Sequence, residues 1–197
     1  LAGMTKDAGM TRYVHVSGIG ADAASADPFI RSRGEGEAAV RAACPFATIV
    51  RPSVMVGTDD AIRTTILGLI RHQPVFPLFG TGKTCLQPVH RADVADAVVS
   101  LLKMENPKPL YELGGPETYS YERLVREVAR AAGRRVWPVP VPFFVWRILA
   151  LIGERLPGAP LTRSQVALMR QSNVAAPDLP NLTDLGVSPT DIVADVN

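Results

Sequence analysis

The chain has 197 residues, of which 47% are hydrophobic and 20% charged, enough for one domain or a large part of one. A net charge of +2, with no Lys/Arg cluster along one face, excludes a nucleic-acid footprint. Cys44 and Cys85 lie far apart with no CxxC spacing, so they read as reduced thiols in a reducing compartment rather than as ligands. No two histidines have metal-ligand spacing, and no metal is expected.

The first residue is Leu1, no signal peptide follows, and Tyr13–Val16 already reads as a buried strand, which points to a fragment of a larger domain. Ser17-Gly18-Ile19-Gly20 closes that strand as a loop. Asp27-Pro28 is a strong helix start, because Asp can cap and Pro suits the first helical position, and the helix is predicted to run to about Ala43. A second strand over Ala47–Val50 ends at Arg51-Pro52, and Asp59-Asp60 opens a further helix. Val75–Phe79 and Thr84–Val89 read as extended pieces joined by a hairpin turn at Gly80-Thr81-Gly82.

A helix over Ala92–Met104 has Val94, Ala97, Val98, Leu101 and Leu102 as its buried stripe, and His90 just before it caps or bonds locally. Leu110–Leu113 is a short strand, Gly114-Gly115-Pro116 a turn, and Ser120 a cap for a helix to about Ala132. Arg134–Val139 is extended, and Phe143–Leu156 a very apolar helix. Thr162 and Gln165 fit a capping box for a helix to about Ser172, and Ser188-Pro189 begins a short last helix. Strands alternate with helices up to residue 113, and helices dominate afterwards. The pattern predicts a parallel α/β sheet over residues 1–113 and a small, mostly helical lobe over residues 114–197.

Three segments carry a resemblance by their order. They are Tyr13–Ser17 followed by Phe29–Arg33, then Thr48–Gly57, then Gln87–Ala97; the run Tyr111–Glu117 fits the same pattern. The chain resembles the second half of extended short-chain dehydrogenases, the epimerase/dehydratase group. The stretch Leu161–Val174 and the run Leu185–Pro189 are similar to the bacterial relatives of the complex I alpha subcomplex subunit 9 proteins. The resemblance implies the C-terminal part of a Rossmann-like, doubly wound parallel sheet whose first strands, with the glycine-rich turn, are absent. No G-x-G-x-x-G follows a strand here, and Gly80-Thr81-Gly82-Lys83 lacks phosphate-loop spacing.

The resemblance also implies a cofactor, NAD or NADP, and a Tyr-x-x-x-Lys pair on one helix face. In the family the lysine lowers the tyrosine pKa and holds the nicotinamide ribose, while the tyrosine passes a proton as hydride moves. The matching positions are Phe29 and Arg33. Phe29 has no hydroxyl, so no competent catalytic set is expected, whereas Arg33 keeps charge and donors for a ribose. By the same resemblance Ser17 falls in the catalytic serine region, and Pro52, Ser53 and Val54 form the turn that packs on the nicotinamide, so Ser17, Arg33, Pro52, Ser53 and Val54 are the expected cofactor contacts. An NAD(P)(H)-binding, non-catalytic accessory protein of a respiratory or quinone-linked membrane complex follows, cytoplasmic and peripheral to the inner membrane. The alternatives are an active reductase, epimerase or dehydratase, and a dinucleotide-sensing regulator. Phe143–Leu156, with ten apolar residues or alanines broken by Arg147, Gly153, Glu154 and Arg155, is too short to span a bilayer. It is either lobe core or the docking surface for a protein or membrane-complex partner.

Overall fold

A computed structural model describes residues 1–57, 61–155 and 161–192. In chain order the elements are α1 (Ala2–Asp7), β1 (Val14–Val16), α2 (Pro28–Ala43), β2 (Thr48–Pro52), β3 (Met55–Val56), α3 (Ala61–His72), β4 (Val75–Phe79), β5 (Cys85–Leu86) and β6 (Val89–His90). They continue with α4 (Arg91–Lys103), β7 (Leu110–Leu113), β8 (Tyr119–Ser120), α5 (Tyr121–Ala131), β9 (Trp137–Val141), α6 (Phe143–Gly153) and α7 (Arg163–Leu168). The helix starts follow cap chemistry. Asp27 Oδ1 accepts from the N–H of Phe29 at 2.9 Å and of Ile30 at 3.2 Å, Ser120 caps α5, and Thr162 and Gln165 form both halves of a capping box. His90 Nδ1 accepts from the Ala92 N–H at 3.3 Å, so this histidine is a cap. The expected start at Asp59-Asp60 lies outside the described residues, and α1 escaped the sequence reading.

Two compact units interleave along the chain. Leu1–Gly57, Gln87–Glu117 and Asn173–Asp191 form the first, and the described residues of Thr58–Leu86 and Thr118–Ser172 the second. A single division at residue 113 therefore cuts across this packing, because α3, β4 and β5 leave the sheet early and the C-terminal segment returns to it late.

In the first unit β1, β2 and β7 form a parallel sheet in the order β1-β2-β7, with Val14 opposite Thr48 and Ile49 opposite Leu110. Ile49 and Val50 are fully buried, as expected of a parallel strand covered on both faces. Val50, Val89, Val94, Ala97, Leu101, Tyr111 and Leu113 pack into one core with Leu182 and Leu185 from the returning segment. Leu102, expected in the buried stripe of α4, is exposed instead. Gly34 lets α2 approach the backbone of Asp22 and Ala23 so closely that a Cβ there would collide with it. Residues 188–192 form no helix: the N–H and hydroxyl of Thr190 both donate to Asp93, at 2.7 and 2.7 Å, and hold the segment in another conformation.

In the second unit β4 pairs with β9 in parallel, Val75 opposite Trp137 through Phe79 opposite Val141, and β5 pairs with β8 antiparallel. The Gly80–Gly82 turn exists, with the Gly82 N–H donating to the Phe79 carbonyl at 3.1 Å. It joins no hairpin, since the strands on its two sides take different partners. α7 stops at Leu168 rather than Ser172, because the Met169 carbonyl accepts from the Thr84 hydroxyl at 2.8 Å and the Ser172 hydroxyl from the Cys85 N–H at 3.3 Å. α6 ends at Gly153, and Leu156 lies outside the described residues. Trp146 Nε1 on α6 donates to the Leu78 carbonyl at 3.0 Å. Of the two readings of this helix the lobe-core one fails for most of its length: Ala150 alone is buried, and Phe144, Ile148, Leu149, Leu151 and Ile152 are exposed.

Candidate functional site

The site lies at the carboxyl ends of β1 and β2, where open α/β sheets place ligands. The Ser17 N–H donates to the Val50 carbonyl at 2.7 Å and the Ile19 N–H to the Pro52 carbonyl at 3.2 Å, so the loop after β1 tracks β2 to its end. α2 then runs past this loop. Phe29 and Arg33, one turn apart, present a stacked pair in which the Arg33 guanidinium carbon lies 4.4 Å from the centre of the Phe29 ring. The same guanidinium covers Gly18 so closely that a Cβ at that position would fall inside it. The missing side chain at 18 therefore makes room for the cation at 33, and the ring at 29 supports it.

Burial lowers the Arg33 pKa, and among the described residues no carboxylate pairs with this cation. The Ser17 Oγ is buried and makes no hydrogen bond of good geometry. Ser17, Phe29 and Arg33 are thus brought to one place, with a cation outside any ion pair among them. Nothing there has the phenol of the family's proton donor.

The sequence reading missed the neighbouring charges. Phe29, Arg33 and Glu37 recur every four residues and so share one stripe of α2. Glu37, buried against the sheet, accepts from Arg51 Nε at 2.8 Å and from Nη2 at 2.8 Å. Arg51 also stands 3.5 Å from Glu112 of β7. Burial alone would raise the Glu37 pKa, but the hydrogen bonds from Arg51, the nearby Ser17 hydroxyl and the charges of Arg51 and Arg41 outweigh it, and the carboxyl is held below its ordinary value. The hydrogen bonds that Arg51 donates to Glu37 raise the Arg51 pKa in turn, against its own desolvation, with the charges of Glu37 and Glu112 adding. The continuation of the four-residue spacing to an acid was the available signal; the strand positions of Arg51 and Glu112 gave none.

The Pro52-Ser53-Val54 turn is built from inside the sheet. The Ser53 N–H donates to the Leu113 carbonyl at 2.8 Å, and the Val54 carbonyl accepts from the Val89 N–H at 2.9 Å. The Ser53 hydroxyl is committed to Asn173, 2.6 Å from its Oδ1 and 2.9 Å from its carbonyl oxygen. The Ser53 side chain therefore ties down the returning segment. Gln87 helps, accepting from the Ala175 N–H at 3.0 Å and donating to the Gly115 carbonyl at 2.8 Å. Sequence reasoning found neither Asn173 nor Gln87, since their partners are distant in the chain.

These residues fit the nicotinamide-ribose end of a dinucleotide. Arg33 has guanidinium donors outside any ion pair, the Ser17 hydroxyl lies near Glu37 without a hydrogen bond of good geometry, and the Val54 N–H is the backbone donor of its turn outside the bonds described above. No glycine-rich strand–turn–helix for the pyrophosphate occurs in these 197 residues. Dinucleotides supply hydride chemistry when bound; the side chains present can hold and orient one, and Phe29 can pass no proton.

No family model matches the chain. The rat NADH dehydrogenase [ubiquinone] 1 alpha subcomplex subunit 9, mitochondrial, is 35% identical over 195 residues, covering 96% of this chain and 51% of the rat protein. The Arabidopsis thaliana protein of the same name is 34% identical over 178 residues, covering 86% of this chain and 44% of its own. The chain spans about half the length of the curated relatives it matches. Among solved structures, an NADPH-dependent quinone oxidoreductase of Escherichia coli in complex with NADPH superimposes with a TM-score of 0.76 at 19% identity, covering 99% of this chain and 68% of that one. A nucleoside-diphosphate-sugar epimerase of Staphylococcus aureus gives 0.71 at 15% identity, covering 99% and 67%. By sequence the chain is similar to complex I alpha subcomplex subunit 9 proteins over about half of their length, and it shares the fold of the quinone oxidoreductase and the epimerase.

Proposed function

We propose that this chain supplies the nicotinamide end of an NAD(P)(H) site in a non-catalytic accessory protein of a respiratory membrane complex. The observation that carries the reading is the Phe29–Arg33 stack over Gly18. By the resemblance it stands where the family has its proton-transfer pair, with a group that can bind and a group that cannot donate. Arg33 and Ser17 would hold ribose hydroxyls, and the turn at Pro52, Ser53 and Val54 would meet the carboxamide through its backbone. The bound dinucleotide would serve as a structural ligand that stabilises the folded state by mass action. Relatives named as subunits of NADH dehydrogenase support the assignment to a respiratory complex, and a place peripheral to the inner membrane goes with it. Among the described residues no helix is long and apolar enough to cross a membrane.

A second reading, an active reductase, is favoured by one feature, the Ser17 hydroxyl, which makes no hydrogen bond of good geometry and could polarise a carbonyl. It needs a proton donor that Phe29 does not supply. Fluorescence titration of the 197-residue chain with NADH and NADPH tests the division of the site. Weak binding, reduced further by Arg33→Ala, is expected, since the pyrophosphate contacts are not in this chain. Sub-micromolar affinity, or indifference to Arg33→Ala, would place the dinucleotide elsewhere.

A further inference from the structure

α6 exposes far more apolar surface than a lobe helix normally does. Of its eleven residues only Ala150 is buried, while Phe144 is 64% and Ile152 55% exposed. At about 100° per residue, the exposed positions form one continuous arc from Arg147 through Leu151, Phe144, Ile148 and Ile152 to Leu149, with Arg155 in the turn that follows the helix. Trp146 and Ala150 face the other way, where Trp146 bonds the Leu78 carbonyl and its ring packs 4.4 Å from that of Phe79, centre to centre. The lobe anchors one side of α6 and leaves the apolar side bare.

Charge selects the occupant. Between Pro142 and Ser172 the sequence has four arginines and a single acid, Glu154. Glu154 is taken by Arg163 at 2.7 Å. Among the described residues Arg147 and Arg155 have no carboxylate partner. Arg147 and Arg163 flank a shallow groove lined by Phe144, Ile148 and Leu151. A second copy of the chain on this face would set arginine against arginine. An anionic lipid surface suits both features at once, because the apolar arc can enter the acyl boundary while the arginine stems reach up to phosphate groups.

The geometry points to α6 as an in-plane anchor on an anionic bilayer surface, with Phe144, Ile148 and Ile152 inserted and Arg147 and Arg155 meeting lipid phosphates. Eleven residues are far too few to span, which requires roughly 20, so the helix lies flat. The inference goes beyond the dinucleotide reading and does not rest on it, since Ser17, Phe29 and Arg33 belong to the other compact unit.

Co-sedimentation of the whole chain with vesicles tests it without any protein partner. Vesicles of phosphatidylcholine containing about one quarter phosphatidylglycerol should bind the unaltered chain about tenfold more tightly than phosphatidylcholine alone, and salt should weaken the binding. Arg147→Gln and Arg155→Gln should each lose about fivefold. Ile148→Asp should lose about tenfold or more with an unchanged melting temperature, because the side chain is exposed. Leu69→Asp, also exposed but on α3, should bind normally. Equal binding to neutral and anionic vesicles overturns the proposal in the unaltered chain alone. So does full binding by Ile148→Asp, or a dimer that Ile148→Asp converts to a monomer while vesicles are ignored, which would make a second copy the occupant.

Discussion

Glu37→Gln removes the charge at the centre of the ion cluster beneath the site while keeping the size of the side chain. Glu37 is 5% exposed and accepts two hydrogen bonds of 2.8 Å from Arg51. Removing one member of a buried pair typically costs about 3–5 kcal/mol. Arg51 would retain Glu112 at 3.5 Å and the Ala21 carbonyl at 3.3 Å, and its side chain is 20% exposed. The loss should therefore fall at the lower end, about 3 kcal/mol. Arg51→Met strips two carboxylates of their cation at once and should cost more, about 4–5 kcal/mol. The sign of the pH dependence follows from the folded-state pKa of Glu37, which lies below the ordinary 4.5. Its contribution is fully present above 4.5 and is lost as pH falls through the lower folded value. Urea unfolding followed by circular dichroism, at neutral pH and at about pH 3, should show a gap between the unaltered chain and Glu37→Gln that narrows in acid. A gap below about 1 kcal/mol at neutral pH, within the range of exposed pairs, or one that does not change in acid, would refute the cluster's role.

Gly34→Ala should destabilise by about 2 kcal/mol, because the new methyl meets backbone atoms of Asp22 and Ala23. Gly36→Ala on the same helix points into open space and should stabilise by about 0.5–1 kcal/mol; paired thermal melts check both. Thr190→Val removes the hydroxyl bond to Asp93 and keeps the backbone one, so about 1.5 kcal/mol should go, with faster proteolysis of the C-terminal segment. Phe29→Tyr with Arg33→Lys should yield at most partial hydride transfer in a cofactor-loaded protein, since the surroundings are shaped for a stacked guanidinium.

What could be read from the sequence was what is encoded locally. The Asp27-Pro28 start, the Ser120 cap and the Thr162–Gln165 box each act within four residues, and each appeared where predicted. That Phe29 and Arg33 share one helix face needed only helical spacing, whereas their stacking was not foreseen. The partner of β4 was not legible, because it lies some sixty residues on, in a Trp-Pro-Val-Pro-Val run whose prolines argue against a strand. The structure resolves this by alternation. Trp137 N–H donates to the Pro74 carbonyl at 2.7 Å, and in a parallel ladder the next donors are Val139 and Val141, so Pro138 and Pro140 fall where no donor is needed. The anchoring of the returning segment Asn173–Asp191 was equally hidden, since Ser53, Gln87, Asp93 and Glu112 hold it through contacts with no sequence period. A proline at 189 suggested a helix start, and two bonds from Thr190 to Asp93 overrode it.

The most direct test of the proposed role is hydride transfer in a purified protein that carries this chain together with a glycine-rich cofactor turn. NADH or NADPH oxidation would be followed at saturating cofactor with quinone and carbonyl acceptors, alongside extraction of the dinucleotide that co-purifies. Retained dinucleotide without turnover above the uncatalysed background is the predicted result, because Phe29 offers no proton. Turnover at ordinary enzyme rates, about 1–10³ per second, would contradict it.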